Sequence, residues 1–357
     1  MKTLLALYLA IPLLIALLFA SGCQDDIEII TPKPDPESSV LDTTSHDFVW
    51  EFDTVAVQFS SITSVAALSP TDIWVTGKFF KHDSLGNPDP KPIGNVAHWN
   101  GSEWTYHGFN SSGYESWYEM DDAFATSADN LWVCGGSPFQ WDGAKWKTHG
   151  YDGFTFGGGI AETWATADAK YACVVSVDKS CAYYRYDDPA FRKVLIPSEA
   201  EDCLDVVGLE DGTMFVGAGA RNSPEGHIYR ITPDRKAEVY HDCSGKDPFA
   251  IWFQNGDLHY GSGHNIFRID RNNHKYARPV LEASDHIIEE DHDEENNVVV
   301  MMQANEFLHF NGATWMQISI PYPASLHMRD VDVSGKEVYF VAFSPDQYCI
   351  VVRGRRL

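Results

Sequence analysis

Residues 95–108 read NVAHWNGSEWTYHG, and residues 137–150, forty-two positions on, read SPFQWDGAKWKTHG. An aromatic, an Asn or Asp, a Gly and a second Trp return at fixed spacing. Such self-similarity marks one supersecondary unit used more than once, and it constrains the fold before any composition is weighed. Upstream of the two copies stand AALSPTDIWVTG (66–77) and AFATSADNLWVCGG (123–136), each an apolar run, a polar turn and a β-branched or alternating run. The same grammar returns more weakly at 163–176, 205–219, 249–263, 287–302 and 329–343. The residue opening the second run is Asp72, Asn130, Lys170, Thr213, Asp257, Asn297 and Glu337 in turn. After a first step of 58, lengthened by the loops 81–92 and 109–118, the spacing is 40–44.

Each unit continues into a third apolar run, such as NVAHWNG, PFQWDG, HIYRITP or EFLHFNG, and a turn leads to a fourth, such as EWTYHG or TWMQISIP. Four short strands per unit, seven times over, specify an all-β, seven-bladed β-propeller over 47–357. No segment carries the sustained 3.6-residue apolar period that a helical repeat needs. The seventh unit ends one strand short, at VVRGRRL. The run DFVWEFDTVAV (47–57) precedes the first inner strand and supplies the missing one, which closes the ring and removes a bare sheet edge. Between the third and fourth runs of the first, second and sixth units an Asn-Gly or Asp-Gly supplies the positive φ of the turn. Eight of the eleven tryptophans (Trp50, Trp74, Trp99, Trp104, Trp132, Trp141, Trp146 and Trp315) hold repeat positions and are assigned to the scaffold.

The phrases SPTDIWV and SADNLWV, each followed by W-[N/D]-G-x-x-W, resemble a propeller repeat of secreted bacterial proteins, related in style to the kelch-like and Asp-box propellers. The resemblance is strict in the first two units, partial in the sixth, and rests on spacing elsewhere. Families of this style include binders, scaffolds and enzymes, so the resemblance leaves function open.

The N-terminus locates the protein. Met1-Lys2 leads an apolar run that ends in small residues before Cys23, the layout of a secretory signal. FASGC (19–23) resembles the lipobox of bacterial lipoproteins, which implies that residues 1–22 are removed and Cys23 carries the acyl chains. Residues 23–46 hold prolines, acids and hydroxyls without periodicity, a flexible tether spanning roughly 25 Å. An outer-membrane lipoprotein facing the cell surface or the periplasm is the expectation. The acidic QDDIE after Cys23 reads equally as a surface-sorting tag or as the plain start of a linker. A formal net charge of −25 argues against a nucleic-acid partner, since counterion release needs a basic surface. The six further cysteines show no CxxC spacing; Cys203 and Cys243, in consecutive interblade segments, are the expected disulfide pair.

Chemistry is expected where innermost strands meet the channel. Eight residues before each opening residue stand Ser64, Asp122, Glu162, Asp205, Phe249, Glu289 and Arg329. Asp122, Glu162, Asp205, Glu289 and Arg329 form a ring that takes a hard cation such as Ca²⁺, grips a polar organic ligand such as a sugar, or is merely hydrated. Trp117 and Tyr118, with Phe109, Tyr114, Tyr151, Phe154 and Phe156, lie in loops assigned to the same face, where rings stack on sugars or pack the loops down. No Ser-His-Asp order, phosphate loop or HExxH occurs, and His98 and His309 sit at matching third-strand positions that suit a structural role. The leading reading is a membrane-anchored binding module for a glycan or a partner protein. The alternative is a lipid-tethered carbohydrate-active enzyme, glycosidase or lyase, working through the ring carboxylates.

Overall fold

The computed structural model describes residues 45–357, apart from 84, 88, 90, 110–118, 153–159, 177–179, 198–201, 220–225, 293–296 and 304. Within it lie seven antiparallel four-stranded sheets. The chain opens with β1 (Phe48–Ala56). Blade one is β2 (Ser61–Ser69), β3 (Asp72–Phe79), β4 (Gly94–Trp99) and β5 (Trp104–His107); blade two is β6 (Asp122–Ser127), β7 (Asn130–Cys134), β8 (Phe139–Trp141) and β9 (Trp146–Thr148). Blade three is β10 (Ile160–Ala165), β11 (Tyr171–Ser176), β12 (Ser180–Arg185) and β13 (Asp188–Val194); blade four is β14 (Asp202–Gly208), β15 (Met214–Gly219), β16 (Gly226–Ile231) and β17 (Ala237–Asp242). Blade five is β18 (Ala250–Gln254), β19 (Asp257–Ser262), β20 (Asn265–Ile269) and β21 (Ala277–Glu282). Blade six is β22 (Ile287–His292), β23 (Val298–Met302), β24 (Glu306–Phe310) and β25 (Trp315–Ser319). Blade seven is β26 (His327–Ser334), β27 (Glu337–Phe343) and β28 (Cys349–Arg356), completed by β1 in the order β1-β28-β27-β26.

The N-terminal strand therefore closes the ring, Phe48 opposite Arg356 through Ala56 opposite Cys349. Phe48 and Trp50 stack on each other and meet Phe307 edge-on, so the closing strand is held by blade six as well as by its own sheet. The first strand of every blade touches the first strands of both neighbours, so these seven form the innermost ring.

The repeated phrase now has a mechanical meaning. Its two aromatics are cross-strand partners at the mouth of a hairpin: Trp99 with Trp104, Trp141 with Trp146, and Phe310 with Trp315, ring centroids 5.2–5.6 Å apart. Between them, Asn100, Asp142 and Asn311 each accept hydrogen bonds from the backbone N–H groups two and three residues on. The following glycines, Gly101, Gly143 and Gly312, have φ of 91°, 85° and 90°, a region any Cβ disfavours.

The opening residue of the second strand is an acceptor for buried donors. Asp72 takes the Trp74 indole N–H at 2.9 Å and pairs with His98 at 2.8 Å, and His98 lies flat on Trp74. Asn130 takes the Trp132 indole N–H at 2.9 Å and the Gln140 amide at 3.2 Å; Asn297 bonds to His309 at 3.2 Å. His98 and His309 are thus parts of the blade. Of the eight repeat tryptophans, Trp74 and Trp132 are buried, whereas the hairpin tryptophans are half-buried.

One expectation fails on distance. Cys203 is on the innermost strand of blade four, while Cys243 follows the outermost strand of the same blade, its N–H bonded to Gly226. Three interstrand spacings, about 14 Å, separate these edges. A disulfide spans at most about 7 Å between Cα atoms, so the two cannot pair.

Candidate functional site

An innermost strand has one sheet neighbour, so its other edge presents N–H groups to the next blade without a ladder partner. Short acidic side chains fill this need along the axis. Asp205 accepts from Val206 N and, across the seam to blade five, from Ile251 N, both at 2.5 Å. Asp291 accepts from Val333 N at 2.5 Å, linking blade six to blade seven. Asp330 accepts from Val65 N at 2.8 Å, and Asp332 from Ala67 N, linking blade seven to blade one. Between blades one and two the role passes to Ser64, whose hydroxyl takes Ala123 N at 3.1 Å.

Placing these groups on the axis requires a local irregularity. The innermost strands of blades three, four, six and seven each have a bulge, between Ile160 and Glu162, Cys203 and Asp205, Ile287 and Glu289, and Met328 and Asp330. The residue after the bulge is a carboxylate every time. A bulge turns its strand and re-aims the following side chain, and here it delivers Glu162, Asp205, Glu289 and Asp330 to one axial cavity of about 280 Å³.

Glu290, Asp291 and Asp332 also line that cavity, beside His292 and small or apolar residues from five blades; no Lys or Arg lines it among the described residues. Oxygens of Glu162, Asp205 and Glu289 all lie within 4.8 Å of one another. Glu290 Oε2 stands 3.5 Å from His292 Nδ1.

The sequence-predicted ring is therefore brought together in part. Glu162, Asp205 and Glu289 meet. Asp122 is buried and does not line the cavity; it sits in regular register opposite Cys134, with no bulge before it, and interacts with Ser64 of blade one and Thr163 of blade three. Arg329 is exposed and does not line this cavity: it is itself the extra residue of the blade-seven bulge, and Asp330 holds the ring position. Phe249 precedes β18 and is exposed, and blade five gives the cavity no described lining residue. Trp117, Tyr118 and Cys23 lie outside the described residues. Of the loop aromatics that are described, Phe109 packs on Phe139 and Trp146, and Tyr151 on Phe191; both rings serve the blades.

Crowded acids without a cation resist ionising. Burial first, then the charge of Asp122, pushes Glu162 well above the usual carboxylate range. Burial followed by the charge of Asp205 does the same to Glu289, and burial followed by Glu290 to Asp205. Asp330 is pushed up to about 7 and Asp122 to about 6, burial leading in both. A positive group entering the cavity reverses the balance, since each carboxylate then gains a partner. The Glu162–Asp205–Glu289 group offers hard oxygens of the kind Ca²⁺ takes, with water completing its six to eight ligands. It equally fits an ammonium or guanidinium. Carboxylates in unlike environments, one held acidic and one raised, would mark an acid–base pair; here every lining acid whose shift is resolved is raised.

The class defined by fold and site is a seven-bladed propeller with an acidic axial cavity. No protein-family model and no curated protein matches the chain. Solved structures do. A virginiamycin B lyase from Staphylococcus aureus aligns over 87% of this chain and 100% of its own, with TM-score 0.66 and 10% identity. YCF48 bound to D1 peptide aligns over 89% and 98%, with TM-score 0.61 and 13% identity. U3-55K aligns over 85% and 98%, with TM-score 0.57 and 11% identity. At these identities the likeness is one of fold.

Proposed function

We propose that this protein is a lipid-anchored, extracytoplasmic binding module that takes a partner protein over the axial cavity, with a basic side chain of the partner entering among Glu162, Asp205 and Glu289. The observation that carries the reading is a cavity lined by seven carboxylates and one histidine with no lysine or arginine among the described residues. Such a cavity attracts a cationic segment at long range and holds it at short range, and both effects weaken with salt. The aspartates are largely committed to the seams, whereas among the described residues Glu162 and Glu289 have no hydrogen bond to another blade, so these two supply the grip. YCF48, a propeller of similar fold, is seen with a peptide, which supports a protein partner in this reading. The signal-like residues 1–22 and the lipobox-like Cys23 support an anchor in the outer membrane, facing the surface or the periplasm. Trp117 and Tyr118 stand in this reading as secondary contacts to the partner.

The test is retention of the full-length protein in detergent on arrays of basic peptides, neutral peptides and polysaccharides, scored with released reducing ends. Retention on basic peptides that weakens from low to physiological salt supports the proposal. Retention on polysaccharide alone would replace it with the glycan reading, and release of reducing ends would make the protein an enzyme of the ring carboxylates. Replacing Cys23 with Ser is expected to shift the protein out of the membrane fraction and to abolish fatty-acid labelling.

A further inference from the structure

Beyond the cavity, one buried pair of reactive groups has no role in the binding reading. Cys173 on β11 and Cys181 on β12 are completely buried, and their sulfurs are 3.1 Å apart. Val175 is opposite Cys181, and Cys173 is opposite Tyr183, so the two cysteines are diagonal neighbours on one face of blade three. That face is covered by blade four, through Val206, Met214 and Val216.

We infer that Cys173 and Cys181 form a disulfide in the exported protein. Sulfurs this close need only small side-chain rotations to reach a bond of about 2.05 Å. Zinc is not the alternative, because among the described residues no third metal-ligating side chain joins the pair. Neither is a catalytic redox couple, because the folded blades bury both sulfurs completely.

The chemistry belongs to folding. A hairpin closing so short a loop forms long before a neighbouring blade can dock on it. One cysteine thiolate attacks a disulfide-class oxidant, a small-molecule or protein disulfide of an oxidising compartment, and releases one thiol. The second cysteine attacks that mixed disulfide, forms the Cys173–Cys181 bond and releases the oxidant's other thiol. Two cysteine thiols are oxidised and one oxidant disulfide is reduced to two thiols. Blade four then seals the bond. If the pair is left reduced, the contact with Cys173 and burial push the Cys181 thiol well above its ordinary range, so the folded protein oxidises poorly.

The inference rests on the export reading for its oxidant, and the experiment separates the two. Lys179 falls between the cysteines, so trypsin places Cys173 in YACVVSVDK (171–179) and Cys181 in SCAYYR (180–185). Full-length protein is trapped with iodoacetamide under denaturing conditions and digested without reduction. One sample is harvested from the membrane fraction of expressing cells. The other is denatured, reduced and refolded in a glutathione redox buffer. The expected result in both is a linked peptide pair, lighter by two hydrogens than its parts and split by reductant, as the dominant form of both sequences. Separately alkylated peptides from the refolded sample would overturn the pairing whatever the compartment. A link in the refolded sample but not in the cellular one would overturn the claim for the exported protein and count against export itself.

Discussion

The seam between blades two and three and the axial cavity are both buried, and both contain polar groups, yet they are built on opposite terms. In the seam, Trp132 is enclosed by Tyr184, Phe191 and His149, and its one polar atom is met by Asn130. Asn130 meets both that indole N–H and the Gln140 amide within the repeat. On the axis, carboxylates outnumber the groups that neutralise them, and among the described residues it is the aspartates that are tied to backbone N–H groups of a neighbouring blade. The lesson is that the repeated residues build the frame, whereas the residues that depart from the repeat leave an electrostatic demand that a cationic partner meets.

Substitutions at four positions test this contrast, from the largest effect to the smallest. Trp132→Ala removes the most enclosed indole of the seam and is expected to destabilise by about 3–5 kcal/mol in urea unfolding. A loss near zero would mean that the aromatic seam is not the frame.

The second effect is one of pH. With its folded pKa raised to about 6, Asp122 holds a proton that the unfolded chain, at about 3.9, has already released. Its contribution is therefore fully present below about pH 4 and lost as pH rises through 6, by about 1.4 kcal/mol per unit in that window. Buried His259, pushed down to about 4, and His309, to about 3, act in the opposite sense, gaining stability as pH rises toward their unfolded value. The informative quantity is thus the stability of wild type minus that of Asp122→Asn, which should fall from pH 4 to 6 and then level. A flat difference would remove Asp122 from the crowded set.

Third, Asp205→Ala leaves the Ile251 N–H without its acceptor and should cost about 1–3 kcal/mol. Asp205→Asn, which keeps an acceptor oxygen, should cost less. Last, Glu162→Gln should leave the unfolding midpoint unchanged or raise it, because an uncompensated buried acid is removed. A large loss would show that Glu162 belongs to the frame after all.

Much of this was legible because turns are local. Asn100-Gly101 and Asp142-Gly143 announce their hairpins whatever surrounds them, and the short seventh unit calls for a strand that 47–57 supplies. The ring acids were located by counting from Asn297, Thr213 and Lys170. Counting fails at Arg329 because the β26–β27 hairpin is tighter than those of the other bulged blades: Asp330 faces Val341, whereas Asp205 faces Gly217 and Glu289 faces Met301, so a fixed count of eight lands one residue early, on the bulge itself. The Cys203–Cys243 pairing fails for another reason: neighbouring connections in sequence attach to opposite edges of a blade. The stitching role of Asp291 and Asp332 was hidden in runs of acids, although their position two residues beyond Glu289 and Asp330, on the same strand face, was the available signal.

The decisive measurement is calorimetric titration of the best-retained basic peptide into wild type and into the Glu162→Gln/Glu289→Gln double variant, at low and physiological salt, with circular dichroism confirming that both are folded. Binding by wild type that weakens with salt, and at least a tenfold weaker affinity in the folded variant, about 1.4 kcal/mol, is the expected result. Equal affinity of the two folded proteins would contradict the assignment of the axial glutamates as the binding site.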